Sequence, residues 1–274
     1  QQRNITFFVN CMMRFIMLVF SLIAFKSSTV FSQESNSDKK KIRIHRTSTT
    51  PKIDGDIKGK EWKKARWSES FVDISDSSIP HLNTRFKMQW DSNFLYIAAY
   101  LEEPNLWASL KNHDDIIFND NDFEVFLDPN NDAEQYFEIE INAFNTVMDL
   151  FMNKPYKKGG KYEMGWNSEG MKTAIKLHGT LNNNSDVDKG WSIEMAIPFN
   201  CLKREGRLSH PTIGSTWRIN FSRVEWQLEK NGLDYTKEKI STEKLTKENN
   251  WVWSPMGIID MHIPEKWGYL YFIK

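Results

Sequence analysis

The stretch that decides the fold of this chain is NDNDFEVFLDPNNDAEQYFEIEINAFNTVMDL, residues 119–150. Apolar and polar residues alternate through Asp122–Asp128 and again through Phe137–Asn142, and a period of two residues is typical of β-strands. The PNNDAE segment between the two runs is rich in turn-forming residues, so the pair predicts a β-hairpin. One face of this hairpin is apolar, and the other combines acidic with aromatic side chains. That second face predicts a ligand site, a metal site or a solvated surface.

The rest of the chain shows the same kind of pattern around this hairpin. Residues 84–102 predict a second hairpin, and single strands are expected at 171–178, 191–198, 217–226, 251–255 and 267–273. One short helix is predicted within residues 56–67, because Trp62, Ala65 and Arg66 would share a face. About ten strands and one helix indicate an all-β fold, an antiparallel β-sandwich of immunoglobulin or jelly-roll type with long loops. The polar stretch 227–250 is expected to be a surface insertion.

The amino-terminal residues resemble an export signal. Arg14 precedes an apolar run, Phe15–Phe25, which is too short to span a bilayer and fits the core of a signal peptide. We therefore predict a signal peptide at 1–32, a flexible leader at 33–50 and one β-sandwich domain at 51–274. An uncleaved anchor or a buried helix is the alternative. The prediction is a periplasmic or extracellular protein with no stable membrane insertion after cleavage.

Charge and cysteine content exclude several classes of protein. The chain of 274 residues has 36 basic and 36 acidic side chains, so its net charge gives no indication of a nucleic-acid partner. Without the first 32 residues the balance becomes weakly acidic. Cys201 would be the single cysteine of the mature chain, which rules out a disulfide framework.

Three kinds of chemistry are open to the acidic face. Glu124, Glu138, Glu140 and Glu194 lie on predicted strands and could form a glycosidase carboxylate pair, although a solvated β face also carries such pairs. Asp120, Asp122, Asp128 and Asp132 supply hard oxygen ligands suited to calcium, or they satisfy local backbone groups in turns. The scattered histidines do not predict a transition-metal site.

Sugar binding is the third possibility. A pyranose presents an apolar face that stacks on aromatic rings and a rim of hydroxyls that bonds to planar polar groups. Residues 155–170 form a long loop with two tyrosines and a tryptophan, and such loops are often binding elements. Core packing is the alternative role for any single tryptophan. The candidate stacking residues are Phe118, Trp166, Trp253 and Trp267, and the candidate polar rim is Glu124, Glu140, Asn142, Arg218 and Arg223.

An ordered set of motifs resembles the family 9 carbohydrate-binding modules. The motifs are IDG with a following Trp, TRFKMQWDSNFLYIAAYLEEP, DNDFEVFLDP, YFEIEINAFNTVMDL, GWSIEMAIPF, WRINFSRVEW, WVWSP and PEKWGYLYF. The resemblance covers nearly all of the chain from Ile53 onward. It implies a DOMON-like β-sandwich, binding of glycan ends, attachment to xylanases and calcium in some members.

The same resemblance assigns roles to individual positions. The family's acidic residue corresponds to Glu124, and its first stacking tryptophan corresponds to Phe118. The strand arginine that meets sugar hydroxyls corresponds to Glu140, which reverses the charge, and a neighbouring asparagine is kept as Asn142. The second stacking tryptophan falls near Met261 and His262, so Trp166 or Trp253 would have to replace it.

The sequence therefore predicts an exported, non-catalytic protein that binds carbohydrate and acts beside a glycoside hydrolase, with calcium as a candidate cofactor. A glycoside hydrolase, or a domain of one, is the first alternative. A haem or redox module of DOMON-like type is the second, since Met261 and His262 stand side by side as candidate haem ligands.

Overall fold

The structure is a computed structural model and describes residues 39–204, 210–238 and 248–274. Nearly all regular structure in these ranges is β, which confirms the predicted fold class. The strands are β1 (Lys41–His45), β2 (Val72–Asp73), β3 (Thr84–Trp90), β4 (Phe94–Leu101), β5 (Asp122–Asp128), β6 (Tyr136–Asn142), β7 (Val147–Met152), β8 (Tyr162–Glu163), β9 (Lys172–Leu177), β10 (Trp191–Pro198), β11 (Thr216–Trp226), β12 (Leu228–Asn231), β13 (Asp234–Lys237), β14 (Glu248–Val252) and β15 (Gly268–Ile273).

Two large sheets make up the sandwich. The first contains nine strands along the path β1-β15-β11-β5-β6-β7-β8, with β14 pairing to β11 and β2 pairing to β14. The second contains β3-β4-β10-β9, and β12-β13 form a separate hairpin. Pairing is antiparallel throughout except between β1 and β15, which run parallel. The long strand β11 lies at the centre of the first sheet because it pairs with β5 on one side and with β15 and β14 on the other.

The alternating pattern of the opening hairpin matches its packing. Phe123, Val125 and Leu127 of β5 enter the core between the two sheets, and Phe126 points to the opposite face. That opposite face is also covered, so all seven residues of both β5 and β6 are buried. A second apolar cluster, which includes Trp267, packs there. The solvated surface allowed by the sequence is therefore absent from these two strands.

A buried carboxylate holds the Ile53–Gly55 segment against the smaller sheet. Glu194 of β10 accepts hydrogen bonds from the backbone N–H of Asp54 at 2.8 Å and of Gly55 at 2.7 Å, and from the indole of Trp62. Gly55 has a φ of +82°, and a Cβ there would lie 2.7 Å from the backbone of Ile175. Only glycine fits this position, which explains the glycine of the IDG motif.

We expect Glu194→Ala to lower the free energy of unfolding by about 3 kcal/mol, because three buried donors would lose a charged acceptor. Glu194→Gln should cost less, since it keeps the shape and one acceptor oxygen. Urea unfolding followed by tryptophan fluorescence measures both, with Glu229→Ala on the exposed surface as the control. If Glu194→Ala lowers the free energy of unfolding by less than about 1 kcal/mol, the hydrogen bonds to Glu194 do not stabilise the fold.

Three sequence-based boundaries need correction. The helix expected within 56–67 is wrong: a single 3-10 turn covers Lys60–Trp62, and the burial of Trp62 against the sheet replaces a helical face. The leader expected at 33–50 includes β1, which is ordered by pairing with the distant strand β15. The insertion expected at 227–250 contains the β12–β13 hairpin and the start of β14.

The expected signal peptide at 1–32 lies outside the described residues. Among the residues that are described, no helix has the length and apolar character required to cross a membrane.

Candidate functional site

The outer face of the β5–β6 hairpin holds four carboxylates. Glu124 and Glu140 are directly opposite each other across the two strands, and Ser222 of β11 is the neighbour of Glu124 on the other side. The period of two places Asp122 next to Glu124 and Glu138 next to Glu140 on this same face. We call these four residues, Asp122, Glu124, Glu138 and Glu140, the acidic floor.

Burial makes the acidic floor electrostatically unusual. Each of these four residues is at most 5% exposed. Loss of solvent, followed by the nearby charge of Glu138, raises the pKa of Glu124 to about 8. Burial, followed by repulsion from Glu124, raises the pKa of Asp122 and of Glu140 well above the ordinary range. The floor therefore favours a bound proton, a cation or a hydrogen-bond donor between its oxygens.

Few protein cations reach this floor. Among the described residues, no lysine or arginine forms an ion pair with any of its four carboxylates. His262 comes nearest, with its Nε2 at 3.8 Å from Oε2 of Glu138. The same histidine shares a hydrogen bond of 2.9 Å between its Nδ1 and the hydroxyl of Tyr136. The imidazole is therefore an integral part of one wall of the site.

An aromatic side chain borders the floor on one side. The backbone N–H of Phe118 donates to Oε2 of Glu140 at 2.9 Å, and the Phe118 ring is 44% exposed. The Trp226 indole donates to the Phe118 carbonyl at 2.9 Å, while the ammonium of Lys237 lies 3.7 Å from the Trp226 ring centroid. Trp226 thus supports the loop, and the exposed Phe118 ring is left available for stacking.

A tyrosine borders the floor from another segment. Tyr156 is 45% exposed, and its ring centroid lies 4.5 Å from that of His262. Burial, together with the charges of Glu138 and Glu140, raises the pKa of the Tyr156 phenol to about 12. This tyrosine comes from the loop that the sequence indicated as a binding element. Two half-exposed aromatic rings thus adjoin one buried set of oxygen acceptors, and this arrangement suits a polyhydroxylated ring.

The family model for the carbohydrate family 9 binding domain-like proteins matches residues 53–256. The chain belongs to this family. The resemblance inferred from the ordered sequence motifs is therefore confirmed, and the match covers most of the β-sandwich.

Curated relatives carry such a family 9 domain within much longer chains. Endo-1,4-beta-xylanase A of Thermotoga maritima is 25% identical over 154 residues, which is 56% of this chain and 12% of the relative. Exoglucanase XynX of Acetivibrio thermocellus is 30% identical over 155 residues, again 56% of this chain and 12% of the relative. The chain thus matches only a small part of each enzyme.

Solved structures share the fold of this family 9 domain. A carbohydrate-binding module of family 9 from Caldicellulosiruptor kristjanssonii, in complex with cellotriose, gives a TM-score of 0.55 at 18% identity. That likeness covers 85% of this chain and 94% of the other. The crystal structure of a Bacteroides uniformis protein gives a TM-score of 0.62 at 15% identity, over 85% of this chain and 99% of the other.

Several residues expected at the sugar site of this family 9 domain lie elsewhere. Arg223 is fully buried and pairs with Glu103 and Glu225. Trp253 is 3% exposed inside the core, and the Trp166 ring packs 4.7 Å from the ring of Phe137. Arg223 and Trp253 are thus enclosed within the fold, and Trp166 lies half-buried against its core.

Two further candidates serve neighbouring loops. Asn142 donates to the carbonyl of Leu110 and to Asp120, and its own oxygen accepts from two backbone N–H groups. Arg218 lies over the Tyr269 ring, 5.4 Å from its centroid, with its Nε at 3.8 Å from Asp128. Neither side chain contributes to the acidic floor.

The four aspartates expected to bind calcium are not brought together as one set of ligands. Asp120 accepts the backbone N–H groups of Ser109 and Leu110, and Asp128 accepts those of Asn131 and Ala133. The Oδ1 of Asp132 accepts from Asn130 and from the backbone of Glu134, so it belongs to the hairpin turn. Turn chemistry, the alternative role, accounts for these three residues, whereas Asp122 joins the acidic floor.

A second polar group lies near the end of β7. Both ring nitrogens of His113 face oxygen acceptors, with Nδ1 at 2.9 Å from the Val147 carbonyl and Nε2 at 2.7 Å from Asn167 Oδ1. Asp114 and the buried Asp149 each place an oxygen 3.6 Å from its Nε2. With oxygen acceptors at both nitrogens, the ring is favoured in its doubly protonated, cationic form.

We expect two histidines of this family 9 domain, His113 and His178, to have pKa values on opposite sides of the ordinary value of 6.5. The hydrogen bond to Asn167 raises the pKa of His113, and burial lowers that of His178. The His113 contribution to stability is therefore complete below about pH 6.5 and is lost as the pH rises through the folded-state pKa. NMR titration of labelled histidines measures both values, and Asp149→Asn should lower that of His113. A His113 pKa below that of His178 would contradict this expectation.

The sequence missed three contributors to the site. Tyr156 and Glu138 were not among its candidates for sugar contact, and Asp122 was considered only as a calcium ligand. The sequence feature that pointed to Tyr156 was the irregular loop 155–170. The sequence does not show which of the two tyrosines in this loop lies close to β6.

Proposed function

We propose that this protein binds carbohydrate, without catalysing a reaction, at the acidic floor between Phe118 and Tyr156. The observation that supports the proposal is the combination of four buried carboxylates and two half-exposed aromatic rings on one face of a family 9 domain. Carboxylate oxygens accept sugar hydroxyls, and aromatic faces stack on the apolar faces of a pyranose. Relatives of known structure are complexes with cellotriose and with glucose, which supports glucose-type pyranosides as the first ligands to test.

The floor specifies what kind of contact the sugar makes. Glu124 and Glu140 face each other, so vicinal hydroxyls of a single ring can donate to both carboxylates. The family resemblance implies binding of glycan ends, so a glycan end or a single sugar unit is the ligand that we propose. Sugar hydroxyls would also satisfy the floor oxygens that have no protein partner.

Binding of a panel of oligosaccharides, measured by glycan array and isothermal calorimetry, tests the proposal. Glu124→Gln, which removes the charge and one acceptor, should weaken binding at least about tenfold. Glu229→Gln on the exposed surface is the matched control and should bind as the unmodified protein does. A folded protein that retains no glycan of any class would overturn the proposal.

A glycoside hydrolase is the second candidate, for one specific reason. Oxygens of Glu124 and Glu140 lie within 4.8 Å of each other, and burial raises the pKa of Glu124, as in an acid–nucleophile pair. Release of reducing sugar that is lost in Glu124→Gln would favour the hydrolase. Binding with no release over long incubation would favour the binding protein.

We also propose that the protein is exported and acts beside a glycoside hydrolase in polysaccharide breakdown. The Arg14 and Phe15–Phe25 pattern supports export, and the family 9 domains within xylanases support the enzymatic context. Mass spectrometry of protein recovered from the periplasm or medium should give a mature start near Gln33. Uncleaved protein in the cytoplasm would contradict export.

A further inference from the structure

The oxygens of the acidic floor are spaced as the ligands of a single metal ion. Asp122, Glu124 and Glu140 each offer one carboxylate oxygen, and these three atoms lie within 4.8 Å of one another. Calcium binds oxygen at about 2.3–2.6 Å, so two ligands of one ion can be separated by at most about 5 Å. We propose that these three carboxylates bind one divalent cation, with Ca²⁺ as the matching ion.

Unpartnered oxygens in the floor independently point to a ligand. Asp122 is fully buried, and its Oδ1 accepts from the backbone N–H of Val224 at 2.8 Å. Its Oδ2 has no hydrogen-bond partner. Oε2 of Glu138, the neighbour of Glu140, is a second buried oxygen without one. A buried carboxylate oxygen left unsatisfied is costly, and a bound cation removes that cost.

The surrounding protein supplies no competing cation within the described ranges. Arg223 follows Ser222 along β11, but its guanidinium is held by Glu103 at 2.9 Å and by Glu225 at 2.7 Å. The imidazole of His262 reaches only Glu138, at 3.8 Å, and is bonded to Tyr136. Three carboxylates at the floor therefore form no ion pair with a basic side chain of the described residues.

The ligand atoms identify the class of metal. All three are carboxylate oxygens, with no cysteine among them and no histidine, which suits a hard cation such as Ca²⁺ and disfavours zinc. The Phe118 backbone N–H holds Oε2 of Glu140 at 2.9 Å, so this side chain is oriented before any ion arrives. Calcium takes six to eight oxygen ligands, so positions remain for water or hydroxyls.

These remaining positions connect the ion to the sugar. Two adjacent hydroxyls of a pyranose can occupy neighbouring positions on a calcium ion, and they would then be held between Phe118 and Tyr156. This second role rests on the proposed carbohydrate binding, whereas the metal site does not.

Calorimetry of the full chain with CaCl₂, after treatment with EDTA and dialysis, tests the metal site. One calcium should bind per chain, and Glu140→Gln and Asp122→Asn should each weaken it at least about tenfold. Asp132→Asn, a carboxylate change in the nearby hairpin turn, is the matched control and should bind calcium as the unmodified protein does. Circular dichroism and the thermal midpoint without calcium verify that each variant is folded.

The outcomes separate the two proposals. Absence of calcium binding, or equal affinity in the unmodified protein and in both floor variants, would overturn the metal site. Calcium binding without any glycan binding would leave the metal site standing and remove the proposed function. Glycan binding that is unchanged by EDTA in a protein that binds calcium would overturn the role of the ion in holding the sugar.

Discussion

Arg223→Met is expected to lower the free energy of unfolding by about 3–5 kcal/mol, the largest stability change that we predict. The arginine is fully buried, and its guanidinium donates to Glu103, to Glu225 and to the hydroxyl of Thr84. Methionine fills a similar volume but leaves two buried carboxylates without a cation. Removal of one partner from a buried ion cluster costs more than the cluster contributes as a whole, because the remaining charges stay desolvated.

A neutralised cluster is the matched control for this prediction. Glu103→Gln and Glu225→Gln, combined with Arg223→Met, remove all three charges while keeping the shapes of the side chains. This triple variant should recover a large part of the lost stability, since no charge remains buried. Urea unfolding of the two variants gives the comparison. If Arg223→Met alone lowers the free energy of unfolding by less than about 1 kcal/mol, the arginine does not stabilise the fold through this cluster.

Tyr156→Ala and Phe118→Ala are each expected to weaken glycan binding by about tenfold to thirtyfold, the largest effects that we predict on binding for an uncharged side chain. Each ring is half exposed beside the acidic floor, so truncation removes a stacking surface without opening the core. A well-placed aromatic contact contributes roughly 1.4–2 kcal/mol, which corresponds to that change in affinity. Calorimetry with the best ligand of the panel measures it.

Conservative replacements distinguish stacking from other roles of these rings. Tyr156→Phe and Phe118→Tyr keep an aromatic face and should retain most of the affinity. Trp67→Ala removes an aromatic side chain of similar exposure, 38%, whose ring lies 4.7 Å from the ammonium of Lys87 on the other sheet, and it should leave binding unchanged. If Tyr156→Ala binds normally, the second wall of the site lies elsewhere.

Strand patterns made much of the fold predictable. The hairpins at 119–150 and 84–102 follow from local alternation and turn residues, and both are confirmed. The predicted helix near Trp62 was wrong because its helical pattern is weak. Burial of Trp62, whose indole donates to Glu194, determines the local structure instead. Strand β1 was missed because its partner, β15, lies more than 200 residues away. Pairing with a distant strand does not produce a recognisable residue pattern in a short polar segment.

The candidate site was predicted only in part, for similar reasons. Glu124, Glu140 and Phe118 were placed on one face by the period of two and by the family resemblance, and the structure brings them together. Arg223 also lies on a strand beside β5, but its side chain enters the opposite side and meets Glu103. The alternation of side chains along a strand defines its two faces, but it does not predict which face contacts a ligand.

The sequence by itself determined the all-β class, the central hairpin and the family to which the domain belongs, because these depend on local periodicity and on the order of motifs. Only the tertiary structure decided that the acidic face is buried, that Glu124 opposes Glu140, and that Tyr156 returns to border them. Those facts depend on strand register and on loops that pack across the sheet. Contacts between residues distant in sequence set the desolvation of the four carboxylates, and this desolvation raises their pKa values above the ordinary range.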